Sequence, residues 1–521
     1  MKEISMTPRD YQDSIFKTCE KEDCLVVLPT GTGKTLVAVM LAVSRFKKYP
    51  LEKVLILAPT RPLIEQHFQS FRENLADGWA DMQLFTGKTP ADKRKEIWKT
   101  AEFVFSTPQC IANDLEKELY DLSEVSLLIV DECHRCLKNY AYNKVALAYK
   151  NQAVNGRVLG LTASPGGDKD TIKKVCQNLG ITAVEIRTRD SVDVKPYLQE
   201  LEFEKVEVDF PPEFMEIKIL MDTLFNKKVF ELKNRKVLFG PVSKVALLKL
   251  QAKLMEGICR SRSLNSMLAV SVCAQALKIS HAVELLETQT LRSFIKYMKD
   301  LYKQASEKKS RGVVKLTKDP LFAKAYSLAM SCSIEHPKLE RLNLIVESQF
   351  DLDKNSKIIV FATFRETVRQ IEEMLNKVNY VRAKTFVGQA MKSHDGGKFT
   401  GLKQKEQKEI IEKFRSGEIN VLVATSIAEE GLDIPEVSEV IFYEPVPSAI
   451  RKIQRAGRTA RLAPGALKIL ITKNTRDQAY HYSAYHKEKR MHKAIGDIQK
   501  DFAEGKGLDD NSWAGRQRNL F

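Results

Sequence analysis

The chain has 521 residues, 43% of them hydrophobic, which is enough for two to four domains each with its own core. Its 83 Lys and Arg against 67 Asp and Glu leave a formal charge of +16, a balance that points to a polyanionic partner. No long uncharged apolar run, no signal-peptide core after Met1 and no regular framework among the nine cysteines argue against a membrane span, a secretory leader and a disulfide scaffold, so a reducing, cytoplasmic setting is expected.

From Cys24 to about Asp190, short apolar runs alternate with longer amphipathic stretches. Leu25 to Leu28, Val54 to Ala58, Phe103 to Phe105, Leu127 to Val130 and Val158 to Leu161 read as buried strands. This is the pattern of a parallel sheet covered on both faces. From Pro211 to about Leu328 the strand signals vanish. Val242 to Gly257 and Asn265 to Leu286 have helical spacing, and Pro211, Pro212 and Pro337 bracket the segment as breakers. It is also where the charge sits, with 22 Lys and Arg against 10 Asp and Glu between Glu213 and Met330. A second alternating region follows, with strands expected at Lys357 to Phe361, Arg382 to Val387, Val421 to Thr425, Glu439 to Tyr443 and Leu467 to Ile471. After about Asn474 the chain turns polar and basic. The layout is α/β, then a basic helical insert, then α/β, divided as 1–205, 206–335, 336–490 and a polar tail at 491–521.

Two segments of the first region carry nucleotide chemistry. A buried strand runs into Pro29, Thr30, Gly31, Thr32, Gly33, Lys34 and Thr35 and then into a helix. Gly31 and Gly33 let backbone N–H groups close on phosphate oxygens, Lys34 meets the β- and γ-phosphates, and Thr35 offers a hydroxyl to Mg²⁺. Leu28 stands where the common pattern has its first glycine. The second segment is the strand ending in Asp131 and Glu132. Asp131 can hold Mg²⁺ through water and Glu132 can polarise an attacking water. Cys133 and Cys136 do not read as a redox or zinc pair, because no second cysteine pair is near, and His134 suits a role in coupling the two lobes. Far downstream, Arg458 and Arg461 stand three apart after Gln454, on one helical face, where they could complete the ATP site. Taken alone, that segment reads as a basic solvated helix.

As an ordered set, these segments resemble a superfamily 2 helicase of the DExH-box type. Arg9, Tyr11 and Gln12 resemble the adenine-reading Q motif, and Pro29 to Thr35 is motif I. Motif Ia holds Thr60 and Arg61, followed by short motifs at Thr86 and Gly87 and at Thr107 and Pro108. Asp131 to His134 is motif II, and Thr162 to Ser164 is motif III. Motif IV holds Thr363 and Arg365, motif V holds Thr425, Gly431 and Asp433, and motif VI runs from Gln454 to Arg461. The resemblance implies two RecA-like lobes flanking the helical insert. It places ATP on Arg9, Gln12, the phosphate loop, Gly431 and Asp433. It makes Lys34, Asp131, Glu132, Gln454, Arg458 and Arg461 catalytic and His134, Thr162 and Ser164 coupling residues. It puts nucleic acid on Thr60, Arg61, Thr86, Gly87, Thr107, Pro108, Thr363, Arg365 and Thr425.

Phe386 to Ala390, Gly401 to Gln407 and Glu429 to Pro435, with the basic insert, are similar to the archaeal Hef helicase and the Fanconi anaemia group M translocase. RIG-I-like receptors and Dicer helicase domains are relatives. The resemblance implies an ATP- and Mg²⁺-dependent DNA helicase or translocase for forked, branched or single-stranded DNA, associated with an archaeal-like nucleoid. A duplex-RNA-stimulated ATPase and a nucleic-acid-binding scaffold with a dead motor are the alternatives, and intact Lys34, Asp131, Glu132 and Arg458 speak against the second. Three departures stand out. Ala460 replaces a usual glycine, no Glu-Arg-Lys nuclease signature follows the motor, and there is no cysteine-rich zinc-binding tail. Lys227, Lys228, Lys233, Arg235, Lys236, Lys244, Lys249 and Lys253, then Lys308, Lys309, Arg311, Lys315 and Lys318, are expected to form a thumb-like clamp on duplex arms. Gln517 to Phe521 is similar to an incomplete sliding-clamp peptide.

Overall fold

The computed structural model describes residues 4–137, 140–189, 191–199, 201–260, 263–388, 401–425, 434–446, 448 and 465–503. The first sheet holds β1 (Cys24–Val27), β2 (Lys53–Leu57), β3 (Met82–Phe85), β4 (Phe103–Ser106), β5 (Val125–Asp131), β6 (Val158–Thr162) and β7 (Ala183–Ile186), in the order β3-β4-β2-β5-β6-β1-β7. Its pairs are parallel. Around it lie α1 (Asp10–Lys21), α2 (Lys34–Lys48), α3 (Arg61–Asn74), α4 (Ala91–Thr100), α5 (Pro108–Glu116), α6 (Ala141–Gln152) and α7 (Lys169–Leu179). Two apolar clusters form, one on each side of the strands. Burial on both faces is why the central strands are unbroken apolar runs rather than alternating ones.

The second sheet holds β8 (Leu201–Val208), β9 (Ile358–Phe361), β10 (Ala383–Phe386), β11 (Val421–Ala424), β12 (Glu439–Phe442) and β13 (Gly465–Thr472), in the order β10-β11-β9-β12-β13-β8 and again parallel. Between β8 and β9 lies the insert, α8 (Pro212–Asn234), α9 (Lys244–Arg260), α10 (Leu264–Thr288), α11 (Leu291–Ser306), α12 (Arg311–Thr317) and α13 (Pro320–Ser331). The second lobe adds α14 (Pro337–Leu352), α15 (Arg365–Leu375), α16 (Gln404–Ser416) and α17 (Arg476–Ala503).

Two expected boundaries move. The one at 205 falls inside β8, whose eight residues pair with β13, so the chain has already crossed to the second sheet by Leu201. The one at 490 falls inside α17, which is no polar tail. Met491, Ala494, Ile495 and Ile498 recur at three- and four-residue steps and are buried in the core of the first lobe. Residues 504–521, with the clamp-like peptide, lie outside the described residues.

Helix α10 is long and apolar enough to cross a membrane by length and composition. Here it is the central helix of the insert, packed on α8, α9, α11 and α12. Its carboxylates are engaged. Glu284 meets Lys244 at 2.5 Å, and Glu287 meets Arg476 at 3.2 Å. The expected basic face is partly spent in the same way. Lys228 is buried, Lys227 lies 3.2 Å from Asp319, and Arg235 lies 2.9 Å from Glu231. Lys233, Lys236, Lys249, Lys253, Lys308, Arg311, Lys315 and Lys318 remain exposed.

Insert and second lobe are joined through a buried polar centre. Lys338 Nζ, fully buried, lies 2.8 Å from Asp477 Oδ2, donates to Thr288 O at 2.6 Å and sits 4.7 Å from the Tyr443 ring centre. Thr367 Oγ1 donates to Gln289 Oε1 at 2.9 Å, and the Tyr443 hydroxyl donates to Gln289 O at 3.2 Å.

Candidate nucleotide and nucleic-acid site

The phosphate loop leaves β1 and enters α2 with Gly31 at φ 81° and Gly33 at φ 78°. That left-handed backbone suits glycine. Gly33 has a second constraint, because a Cβ there would stand 2.4 Å from Gln12 Nε2. Gln12 is buried, and its amide donates to Thr32 O at 3.1 Å and Gly33 O at 3.4 Å. The Tyr11 hydroxyl donates to Thr32 O at 2.6 Å, and Thr32 Oγ1 donates to Pro29 O at 2.7 Å. So Gln12, the expected base reader, braces the loop from beneath, and Tyr11 shares that work. Arg9 lies over the Tyr197 ring at 4.9 Å, beside this brace. Lys34 Nζ donates to Leu28 O at 3.1 Å and Pro29 O at 3.3 Å, folded back over the loop that would hold phosphates. Thr30 and Thr35 are half-buried on either side of the loop.

Asp131 closes β5 and is buried. His67 Nε2 lies 2.7 Å from its Oδ2, and the Tyr142 hydroxyl donates to its backbone carbonyl at 2.7 Å. Burial alone would raise the Asp131 carboxyl. The His67 charge, the His67 hydrogen bond and the charge of Lys34 outweigh it and hold the group below the ordinary carboxylate value. Nothing in the sequence singled out His67, a lone histidine in an amphipathic helix.

Glu132 has left-handed backbone, φ 49° and ψ 44°. Its buried Oε2 makes no hydrogen bond among the described residues and lies 3.2 Å from His134 Nδ1. That ring nitrogen also lies 3.1 Å from Thr162 Oγ1, which in turn bonds the backbone of Ser164 at 3.1 Å. Ser164 Oγ donates to Met491 Sδ on α17 at 3.1 Å. The expected coupling residues therefore form one contiguous chain from Glu132 to a helix of the second lobe. Cys133 and Cys136 are buried free thiols.

The expected nucleic-acid threonines occupy equivalent positions in the two sheets. Thr60, Thr86 and Thr107 lie just past the carboxyl ends of β2, β3 and β4, and Thr363 and Thr425 just past those of β9 and β11. Because the strands are parallel, these ends line one edge of each sheet, and the phosphate loop and Asp131 lie on the same edge of the first. Thr60 precedes α3 with its hydroxyl buried and without a hydrogen bond among the described residues. Arg61 Nε lies 2.6 Å from Glu65 Oε1, and Glu65 Oε2 lies 2.8 Å from Lys408 of α16, tying α3 to the second lobe. Thr86 Oγ1 accepts from Lys88 N at 3.3 Å, beside exposed Gly87. Pro108 opens α5, and Arg365 Nη2 donates to Gly388 O at 3.1 Å. Gly431, Asp433, Gln454, Arg458 and Arg461 lie outside the described residues.

Family models match in the same order as the domains. A DEAD/DEAH box helicase model covers residues 9–172, a helical-bundle model named for RNA helicases covers 213–336, and a helicase conserved C-terminal domain covers 338–463. The crystal structure of the Pyrococcus furiosus Hef helicase domain superposes with a TM-score of 0.69 at 42% identity, over 92% of this chain and 98% of that one. The chain belongs to the Hef-like family of ATP-dependent helicases. This branch also holds the Fanconi anaemia group M and mph1 proteins. A Methanocaldococcus jannaschii protein, provisionally named an ATP-dependent RNA helicase, is 38% identical over 95% of the Hef-like chain and 61% of its own length. The ATP-dependent DNA helicase mph1 of Neurospora crassa is 33% identical over 91% of the chain and 42% of its own length. The chain thus spans less than two thirds of the length of these relatives.

The site residues fit Mg²⁺ and ATP. Gly31 and Gly33 supply the left-handed backbone that a phosphate loop needs, Lys34 reaches back over that loop to the carbonyls of Leu28 and Pro29, and Glu132 presents a buried carboxylate oxygen with no hydrogen bond among the described residues.

Proposed function

We propose that the chain is a DNA-dependent ATPase that translocates along one strand and remodels forked or branched DNA in fork repair and recombination, at the nucleoid. The observation that carries this reading is the carboxyl edge of the first sheet, where the phosphate loop, Asp131 and Thr60, Thr86 and Thr107, which would grip a backbone, lie on one rim. In parallel α/β sheets that edge is where ligands bind.

Lys34 exchanges the carbonyls of Leu28 and Pro29 for phosphate oxygens. Thr35 and Asp131 are the residues that would hold Mg²⁺, which when bound would supply charge neutralisation on the nucleotide's phosphates. Glu132 accepts a proton from the attacking water, with His134 beside it to fix its orientation. Arg458 and Arg461 approach from the second lobe, and arginines in that role are worth roughly 10³–10⁵ in rate. Gln454, Gly431 and Asp433 are assigned to the same nucleotide site. Arg9 and Gln12 face the base. Thr60, Arg61, Thr86, Gly87, Thr107, Pro108, Thr363, Arg365 and Thr425 hold the sugar-phosphate backbone, so the motor tolerates any sequence. The exposed lysines of the insert add a salt-sensitive grip on duplex arms. A sliding clamp bound through Gln517 to Phe521 is a further partner of this reading.

The relative and the bundle model named for RNA helicases favour a second reading, a duplex-RNA-stimulated ATPase. ATP turnover on forked DNA, single-stranded DNA and duplex RNA separates the two. The DNA reading requires the largest stimulation by forked DNA, and stimulation by RNA alone contradicts it.

A further inference from the structure

Helix α9 carries two apolar stripes where one would suffice. Leu247, Leu250 and Leu254 face inward and pack with Val229 and Leu232 of α8 and Val272 and Ala276 of α10. On another face, Val245 is 60% exposed, Leu248 50% and Met255 52%, with Ala252 and Cys259 also exposed. Positions 245, 248, 252, 255 and 259 alternate steps of three and four, the spacing of a coiled-coil seam. At about 1.5 Å per residue the seam runs about 21 Å. Scattered exposed apolar residues are ordinary, but a continuous row at this spacing is not. Past the short connection, Leu264, Met267 and Leu268 open α10 at 72%, 51% and 44% exposure, so the apolar surface continues along the chain.

We infer that this outer face of α9 is a docking surface for an amphipathic helix of a partner protein, one with an apolar seam of its own and acidic flanks. Charge decides the occupant. Lys249 and Lys253 are exposed along one side of the seam, Lys244 on the other is paired with Glu284, and Glu256 is the helix's single acidic residue. Opposite charges at such flanks set partner choice. A second copy would set Lys249 and Lys253 against themselves on an insert already rich in Lys and Arg. DNA phosphates find no hydrogen-bond donor on an apolar row, and the exposed lysines elsewhere on the insert suit them better. None of the ATP-site residues belongs to α9, which packs on α8 and α10, so docking and turnover are separable by substitution.

The test uses the full chain and a labelled synthetic peptide of about three heptads, with Leu along its seam and Glu on its flanks. A second peptide has Lys at every Glu. The Glu peptide is expected to bind, and to bind at least tenfold more weakly to the Leu248→Glu/Met255→Glu variant. Lys249→Glu/Lys253→Glu should shift preference to the Lys peptide. For the Leu248→Glu/Met255→Glu variant, ATP turnover on forked DNA and the melting midpoint should stay unchanged. Binding should slow maleimide labelling of Cys259. Absent binding, or equal binding of both peptides to the unaltered chain, overturns the inference. So does a dimer that Leu248→Glu dissolves, which assigns the face to a second copy, or protection of Cys259 by forked DNA, which assigns it to nucleic acid.

Discussion

His67 Nε2 lies 2.7 Å from Asp131 Oδ2, and this contact makes α3 a physical link between two sites. The helix begins at Arg61, on the rim expected to grip nucleic acid, and carries His67 inward to the carboxylate expected to hold Mg²⁺. A partner that orients a metal-binding carboxylate is typically worth 10- to 100-fold in metal affinity or activity. The His67→Ala variant is expected to lose roughly that much ATP turnover and to need more Mg²⁺ for half-maximal rate, with DNA affinity unchanged. The Mg²⁺ dependence of turnover checks this.

Gly33 combines φ 78° with a phantom Cβ 2.4 Å from Gln12 Nε2. Gly33→Ala is therefore expected to displace the loop and weaken ATP binding at least tenfold without unfolding the chain. Adding Gln12→Ala removes the collision but not the backbone strain, so it should restore binding only in part. Titration with a fluorescent ATP analogue measures both steps.

Glu284 ties α10 to α9 and α17, lying 2.5 Å from Lys244 Nζ and accepting from the Tyr480 hydroxyl at 3.0 Å. Burial pushes its carboxyl up, but the His281, Lys244 and Tyr480 hydrogen bonds and the Lys244 charge hold it down, to about 2 against an ordinary 4.5. A depressed folded value means stability that is complete above 4.5 and drains away as pH falls toward 2. The difference in melting midpoint between the unaltered chain and Glu284→Gln should be present at neutral pH and shrink only within that acid window.

Lys338 and Asp477 are both fully buried at 2.8 Å. Removing one partner leaves an uncompensated charge, and Lys338→Met or Asp477→Leu alone is expected to cost about 3–5 kcal/mol in urea unfolding. The Lys338→Met/Asp477→Leu double variant should recover most of that loss.

The fold was legible where burial on both faces wrote continuous apolar runs, as at Val54 to Leu57 and Leu127 to Val130. It was not legible at the edges. Strands β3 and β7 are only half-buried, and β8 alternates charged and apolar residues so that only its pairing with β13 reveals its lobe. Helix α17 hid its first-lobe stripe, Met491, Ala494, Ile495 and Ile498, among basic and aromatic residues. In the site, the phosphate loop and Asp131 could be read from local pattern. His67 could not, because its meaning is a contact across 64 positions of chain. The support that Gln12 gives to Thr32 and Gly33 was equally hidden, because it too is a contact between distant positions of the chain.

The central claim is a motor whose ATP site is split between the phosphate loop and the arginines of the second lobe. It is tested most directly by following a labelled fork with ATP while substituting Arg458→Ala. The account predicts that the variant still binds ATP and DNA, loses roughly 10³-fold or more in turnover, and leaves the fork unmoved. Turnover and fork remodelling at the unaltered rate would contradict it.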